Sequence, residues 1–152
     1  MVKINSKNLM ISVFLGALII VVLLTSACIQ TETNIEKLET QIQIIENITP
    51  EEAYILMQEN KDNPNFVILD VRTPEEFLGE YIENAVNLDY YSDTFRNDLD
   101  KLDKNKSYLI YCRSGRRSEN ALNMMKELDS REVYNMLGGI TKWKSEGLPS
   151  TK

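Results

Sequence analysis

The sequence predicts an α/β domain with a mainly parallel central sheet and helices on both faces. Two continuous apolar runs, FVILDV and SYLIYC, lack the polar alternation of a half-exposed strand, as is typical of strands buried on both faces. Segments with helix caps or helical apolar spacing separate these runs. Because strand and helix alternate along the chain, right-handed crossovers and parallel pairing are expected.

The predicted domain begins near Asn47, and its first helix extends to about Asn60. Thr49 has the character of an N-cap residue, and Pro50 suits the first helical position. Glu52 stands three residues after Thr49 and completes a capping box. These signals predict that the helix starts directly after Thr49.

The next elements repeat this alternation. FVILDV, residues 66–71, is predicted to be a buried strand. Thr73, Pro74 and Glu76 repeat the capping-box pattern and predict a second helix start. The short segment Ala85–Leu88 is predicted to be another strand.

The second half of the chain continues the pattern. A polar helix around residues 94–102 is expected to precede a strand over residues 107–112. The helix that follows is indicated by apolar residues at helical spacing, namely Ala121, Leu122, Met125 and Leu128. A last strand, residues 132–137, leads through two glycines into a short helix whose Trp143 is expected to pack in the core.

A membrane-targeting segment is predicted at the N-terminus. Residues 9–29 carry no charge and follow Lys3 and Lys7. The stretch LLTSAC, which ends in Cys28, resembles the lipobox of prokaryotic lipoproteins. That resemblance implies that Cys28 is lipidated and becomes the mature N-terminus. An uncleaved membrane helix and a fully released domain are the alternatives.

These patterns divide the chain into four parts. Residues 1–27 are predicted to be a lipoprotein-type signal peptide or membrane anchor, 28–46 a polar tether, 47–148 the domain and 149–152 a tail. A partly helical tether is indicated by the 3-4-3 spacing of Ile35, Leu38, Ile42 and Ile45. The positive charges before the apolar segment predict that the domain lies at the membrane on its extracytoplasmic face.

The composition excludes several functions. The formal net charge is -6, and it becomes more negative when Lys3 and Lys7 are removed with the signal, so nucleic acid is not an expected partner. The chain has no histidine, which excludes Ser-His-Asp and Cys-His catalysis and histidine-ligated metals. No cofactor or metal is predicted.

Cys112 is the candidate nucleophile. It stands where a predicted strand stops, and the next helix is expected to begin near Ser118, so the loop between them has free backbone N–H groups. These groups, the helix dipole and nearby arginines are expected to lower the pKa of the thiol below about 8.5. A thiolate formed in this way needs no histidine. The alternative is a buried, unreactive cysteine.

Three separated motifs resemble a rhodanese domain: ILDVRTPEEF, YCRSGRRS and VYNMLGGITKW. The resemblance covers roughly Asn47 to Leu148 and implies sulfurtransferase chemistry through a persulfide on Cys112. It implies that the loop amides and side chains hold an anionic donor such as thiosulfate, with the following helix capped by Ser118. The implied donor-binding residues are Arg113, Ser114, Gly115, Arg116 and Arg117.

The resemblance also implies a supporting role for Asp70 and Arg72, which are expected to bond to the loop backbone or to Glu76. Sulfite would leave after the thiolate attacks the outer sulfur of the donor. An external thiol or cyanide would then accept the sulfur, because a lipidated Cys28 cannot resolve the persulfide. The segment GEYIENA departs from the family pattern at Tyr81, Glu83 and Asn84.

Two other functions stay open at this point. A cysteine phosphatase is the enzymatic alternative, but its loop needs an arginine where this chain has Ser118. A non-catalytic binding or sensing module is the alternative from a different class. Retention of Cys112 argues against that second function without excluding it.

Overall fold

A computed structural model describes residues 42–152 of the chain. The predicted signal segment, Cys28 and most of the tether lie outside these residues. Within the described part, no helix has the length and apolar character needed to cross a membrane.

The domain is built on a five-stranded, fully parallel sheet with the strand order β1-β5-β4-β2-β3. This arrangement confirms the predicted α/β class with a parallel sheet. Strand β4 lies at the centre, paired with β5 on one side and β2 on the other. The strands are β1 Ile44–Ile48, β2 Phe66–Asp70, β3 Val86–Asn87, β4 Ser107–Tyr111 and β5 Glu132–Met136.

Five helices connect or follow the strands within residues 42–152. They are α1 Pro50–Glu59, α2 Pro74–Gly79, α3 Phe95–Asp100, α4 Arg116–Glu127 and α5 Gly139–Ser145. Both predicted capping boxes are present, with Thr49 and Glu52 at the start of α1 and Thr73 and Glu76 at the start of α2. Local side-chain chemistry therefore determines where these two helices begin.

The core forms two layers, one on each face of the sheet. Tyr108 and Ile110 of β4 pack with α3 and α4, whereas Leu109 and Tyr111 pack with α1 and α5. Adjacent residues of a strand point to opposite faces, so the apolar run in β4 supplies both layers. Trp143 is fully buried in the second layer, as predicted for a core residue.

Strand β1 was not predicted. Ile44–Ile48 overlaps the end of the predicted tether, and Ile45 lies in this strand rather than in a helical stripe. Each residue of β1 faces a residue of β5 in parallel register. This pairing joins segments far apart in the sequence, so the local spacing of isoleucines could not show it.

The C-terminal segment also pairs with the domain. Thr151 and Tyr81 exchange two backbone hydrogen bonds of 2.8 and 2.9 Å in an antiparallel bridge. The indole Nε1 of Trp143 donates to the carbonyl oxygen of Pro149 over 2.9 Å. These contacts hold residues 149–151, predicted to be a tail, against α5 and against Tyr81 in the segment that departs from the family pattern.

Candidate active site

Cys112 directly follows the central strand β4, at the carboxyl edge of the sheet where ligands of parallel α/β folds bind. Gly115 is the N-cap of α4 and has a φ of 94°. The helix begins at Arg116, two residues before the predicted start. The expectation that Ser118 caps the helix is therefore wrong, because Ser118 lies within its first turn.

Ser118 points back at the sulfur instead. Its hydroxyl lies 3.6 Å from the Sγ atom of Cys112 and 3.0 Å from the carbonyl oxygen of Gly115. The backbone N–H of Gly115 donates to the same Sγ atom over 3.1 Å. The early helix start thus places a backbone donor and a hydroxyl donor on one sulfur.

Two opposing influences act on the pKa of Cys112. Burial raises it, whereas the Ser118 amide and hydroxyl and the Ser114 and Gly115 amides lower it. The donors prevail, and the pKa of the thiol lies below its usual value. Cys112 is buried, as the alternative of a packing cysteine expected, but apolar packing alone would raise the pKa.

A cleft of ≈ 330 Å³ lies beside the loop; we call it the loop cleft. Its lining consists of Glu76, Tyr91, Arg113, Ser114, Arg116 and Arg117. Arg113, Ser114 and Arg116 are exposed to solvent, whereas Cys112 has no exposed surface. A donor that enters the cleft therefore reaches the sulfur only when residues of the loop move.

Helix α5 packs against the backbone of the loop that contains Cys112. The N–H of Ile140 donates to the carbonyl oxygen of Cys112 over 2.9 Å, and the N–H of Thr141 donates to that of Arg113 over 3.1 Å. Gly139 makes this approach possible, because a Cβ atom there would lie 2.3 Å from the Cys112 carbonyl oxygen. These bonds tie the backbone of Cys112 and Arg113 to the start of α5.

Arg117 is placed differently from the other predicted donor-binding residues. Its Nη1 and Nη2 atoms lie 2.7 and 2.9 Å from the two carboxylate oxygens of Glu76. The guanidinium also lies over the ring of Tyr91, 5.5 Å from its centre. Glu76 was expected to cap α2 or to pair with Asp70 or Arg72, and no local signal in the sequence indicated its pair with Arg117.

Asp70 and Arg72 form a buried ion pair at the end of β2. The Nε and Nη2 atoms of Arg72 bond to the Asp70 carboxylate over 2.5 to 2.9 Å, and Nη2 also donates to the carbonyl oxygen of Glu80. The expected bond to loop backbone is present at Glu80, whereas no hydrogen bond or ion pair joins either residue to Glu76 among residues 42–152. The pair instead ties the end of β2 to the segment after α2.

Comparison with known proteins agrees with this architecture. The family model described as the rhodanese-like domain matches residues 49–146. A protein of Allochromatium vinosum named sulfurtransferase is 33% identical over 94 residues, which cover 62% of this chain and 86% of the relative. The thiosulfate sulfurtransferase GlpE of Coxiella burnetii is 33% identical over 81 residues, covering 53% and 74%.

Longer relatives also match. The chain spans about half (52%) of the length of the protein slr1261 of Synechocystis, to which it is 32% identical over 96 residues or 63% of this chain. Among solved structures, a rhodanese-like domain protein from Staphylococcus aureus is 32% identical with a TM-score of 0.55, covering 68% of this chain and 96% of that one. With most of its described domain matched by the family model, this chain belongs to the rhodanese-like domain family.

Proposed function

We propose that this protein is a sulfurtransferase that moves sulfane sulfur from an anionic donor such as thiosulfate to an external thiol or cyanide. The observation that carries the proposal is the position of the Cys112 Sγ atom, which faces the Gly115 amide and the Ser118 hydroxyl at the start of α4. The names of two relatives, sulfurtransferase and thiosulfate sulfurtransferase, support the same reaction class.

The reaction proceeds in two transfers. The Cys112 thiolate attacks the outer sulfur of thiosulfate, a new S–S bond forms, and sulfite leaves with the electrons of the broken S–S bond. The thiolate or cyanide acceptor then attacks the outer sulfur of the Cys112 persulfide. This second step releases a persulfide or thiocyanate and regenerates the Cys112 thiolate.

The donors that stabilise the thiolate also suit the persulfide. A persulfide anion keeps its negative charge on the outer sulfur, where backbone N–H groups of the loop and the positive end of α4 act on it. Arg113 and Arg116 are exposed in the loop cleft and supply positive charge for an arriving dianion. The same loop thus binds the donor, stabilises the attacking thiolate and holds the persulfide until the acceptor arrives.

The acceptor has to come from outside the domain. Cys112 is the only cysteine in residues 42–152, and Cys28 is the only other cysteine of the chain. If Cys28 carries lipid, no second thiol exists to form a disulfide and release the sulfur. A small thiol, a thiol of another protein, or cyanide then completes the cycle.

The reaction is tested by intact mass. Incubation of the reduced full chain with thiosulfate should add the mass of one sulfur atom, and a later thiol or cyanide should remove it. Cys112→Ser should add none, whereas Cys28→Ala should behave like the wild type. An unchanged wild-type mass would contradict the proposal and favour a binding or sensing module.

We propose in addition that the protein is a lipoprotein of the cell membrane, with the domain on the extracytoplasmic face. The support lies in the sequence: an uncharged segment after Lys3 and Lys7 and the LLTSAC stretch that ends at Cys28. In a bacterial host that processes lipoproteins, the wild type should carry lipid on Cys28, and Cys28→Ala should keep the precursor mass. A wild-type protein without lipid would refute this assignment.

A further inference from the structure

The pair of Arg117 and Glu76 joins two helix starts. Glu76 belongs to the first turn of α2, where its carboxylate also accepts from the Thr73 N–H over 3.2 Å. Arg117 belongs to the first turn of α4, directly after the loop that surrounds Cys112. Since α2 and α4 follow the neighbouring strands β2 and β4, the bidentate ion pair bridges two adjacent segments at the carboxyl edge of the sheet.

Little freedom remains for the Arg117 guanidinium. Only 11% of the side chain is exposed, and 28% of that of Glu76. Two carboxylate oxygens hold its terminal nitrogens, and the ring of Tyr91 covers one of its faces. An anion that enters the loop cleft finds this arginine already bound.

The positively charged residues that line the loop cleft are therefore not equally free to bind an anion. Arg113, Arg116 and Arg117 are positive and Glu76 is negative. Among residues 42–152, Arg113 and Arg116 form no ion pair within 4.0 Å, whereas Arg117 is neutralised by Glu76. Two arginines remain to attract an anionic donor.

We propose that Glu76 is a positioning residue that sets the anion affinity of the loop cleft, because it engages both terminal nitrogens of Arg117 and offsets its charge. This inference rests on the proposed sulfurtransferase function. Donor and leaving group are both anions, so a third free arginine would bind the leaving sulfite as well as the thiosulfate. Glu76 thereby favours release of sulfite at some cost in donor affinity.

Uncharged variants of the two partners test this assignment. Glu76→Gln keeps an oxygen that accepts from the Thr73 N–H but frees Arg117, so the KM for thiosulfate and the inhibition constant of sulfite should both fall about threefold to tenfold. Arg117→Gln leaves Glu76 unpaired, so both constants should rise by a similar factor. The double variant removes both charges and should return to within about twofold of the wild type.

The double variant decides between the two roles of Arg117. If it is as impaired as Arg117→Gln alone, Arg117 binds the donor directly and the proposal is overturned. Glu75→Gln is the matched control, since it removes a neighbouring carboxylate from α2 that forms no ion pair among the described residues. An equal fall in KM for Glu75→Gln would also overturn it, because the effect would then be general.

A second measurement separates this inference from the sulfur transfer itself. Iodoacetate is an anion and iodoacetamide is neutral. The rate of reaction of Cys112 with iodoacetate, divided by its rate with iodoacetamide, therefore reports the attraction of the cleft for anions. Quantified on the Cys112 peptide of the full chain, this ratio should rise about threefold to tenfold in Glu76→Gln. If the ratio rises but the protein takes up no sulfur from thiosulfate, the proposed sulfurtransferase function is refuted and the proposed role of Glu76 stands. An unchanged ratio would refute the role of Glu76.

Discussion

At the scale of single residues, the sulfur of Cys112 combines two properties that usually exclude each other. It is fully buried, and the pKa of the thiol is nevertheless lowered. The donors that achieve this come from a short stretch of the chain: the Ser114 and Gly115 amides directly before α4, and the Ser118 amide and hydroxyl in its first turn. Without these donors only burial would act on the thiol, and its pKa would be raised.

Ser118→Ala tests the contribution of the hydroxyl. The Ser118 O–H has a single proton and two acceptors within reach, Sγ of Cys112 and the carbonyl oxygen of Gly115. Its bond to sulfur gains strength when the sulfur is ionised, so its loss should raise the pKa of Cys112. The pH dependence of the alkylation rate by iodoacetamide measures this shift.

Ser114→Ala is the matched control for that experiment. The side chain of Ser114 is exposed, and its contribution to the thiolate comes from the backbone amide, which the substitution keeps. The midpoint of its alkylation profile should therefore equal that of the wild type. If Ser118→Ala also leaves the midpoint unchanged, the backbone amides alone stabilise the thiolate.

At the scale of elements, the active loop depends on how closely α5 approaches it. The first amides of α5 satisfy the carbonyls of Cys112 and Arg113, and this contact needs a residue without Cβ at Gly139. A Cβ there would lie 2.3 Å from one backbone atom and 2.7 Å from another, and backbone cannot swing away as a flexible side chain can. The second glycine of the pair therefore has a steric role in the active loop.

Gly139→Ala should lower the free energy of unfolding by about 3 kcal/mol or more, because strain at positive φ adds to the clash with backbone. Gly147→Ala separates the two effects, since Gly147 also has a positive φ of 76° but nothing within 4 Å of its Cβ position. That control should lose only about 1 kcal/mol. Urea unfolding of both variants gives the comparison. Equal losses in the free energy of unfolding would mean that the loop backbone shifts to relieve the clash.

The elements differ in how far the sequence could predict them. Helix starts at Thr49 and Thr73 were predictable because a capping box is local chemistry within four residues. The central strands were predictable from the continuous apolar runs that two buried faces require. Strand β1 was not, because its place at the sheet edge depends on β5, more than eighty residues away in the chain.

In the candidate site too, local features were predictable from the sequence and long-range contacts were not. Cys112 and its loop were predictable because strand end, glycine and arginines are contiguous in YCRSGRRS. Asp70 and Arg72 bond to each other and to the loop carbonyl of Glu80, whereas the alternative bond to Glu76 does not form. The roles of Glu76 and Arg117 depend on two helices lying side by side, which follows from the strand order and not from any local pattern.

At the scale of the whole molecule, ionised carboxylates form hydrogen bonds and ion pairs at helix ends and between segments. The Thr49 amide and hydroxyl hold the pKa of Glu52 below its usual value, and Arg117 does the same for Glu76. The pKa of Glu80 is lowered by Lys144 and Ser150, and that of Asp98 by Lys101 and Thr94. Each of these groups loses its partner's contribution when it takes up a proton.

This arrangement predicts a one-sided dependence of stability on pH. A carboxyl whose pKa is lower in the folded state than in the unfolded state adds stability above the unfolded value, near 4.5 for glutamate. That contribution disappears as the pH falls through the lower, folded value. The urea midpoint should therefore stay nearly constant from about pH 7 to about pH 5 and then fall steadily towards about pH 3.

Glu76→Gln identifies the part of this fall that comes from the pair with Arg117. The glutamine does not titrate, so the variant should start from a lower midpoint at about pH 7, where wild-type Glu76 is ionised, and lose less of it on acidification. The two curves should approach each other as the pH falls through the lowered pKa of the wild-type Glu76 carboxyl in the folded state. Parallel curves would show that the ion pair adds nothing to stability, although it would still fix the position of Arg117 beside the active loop.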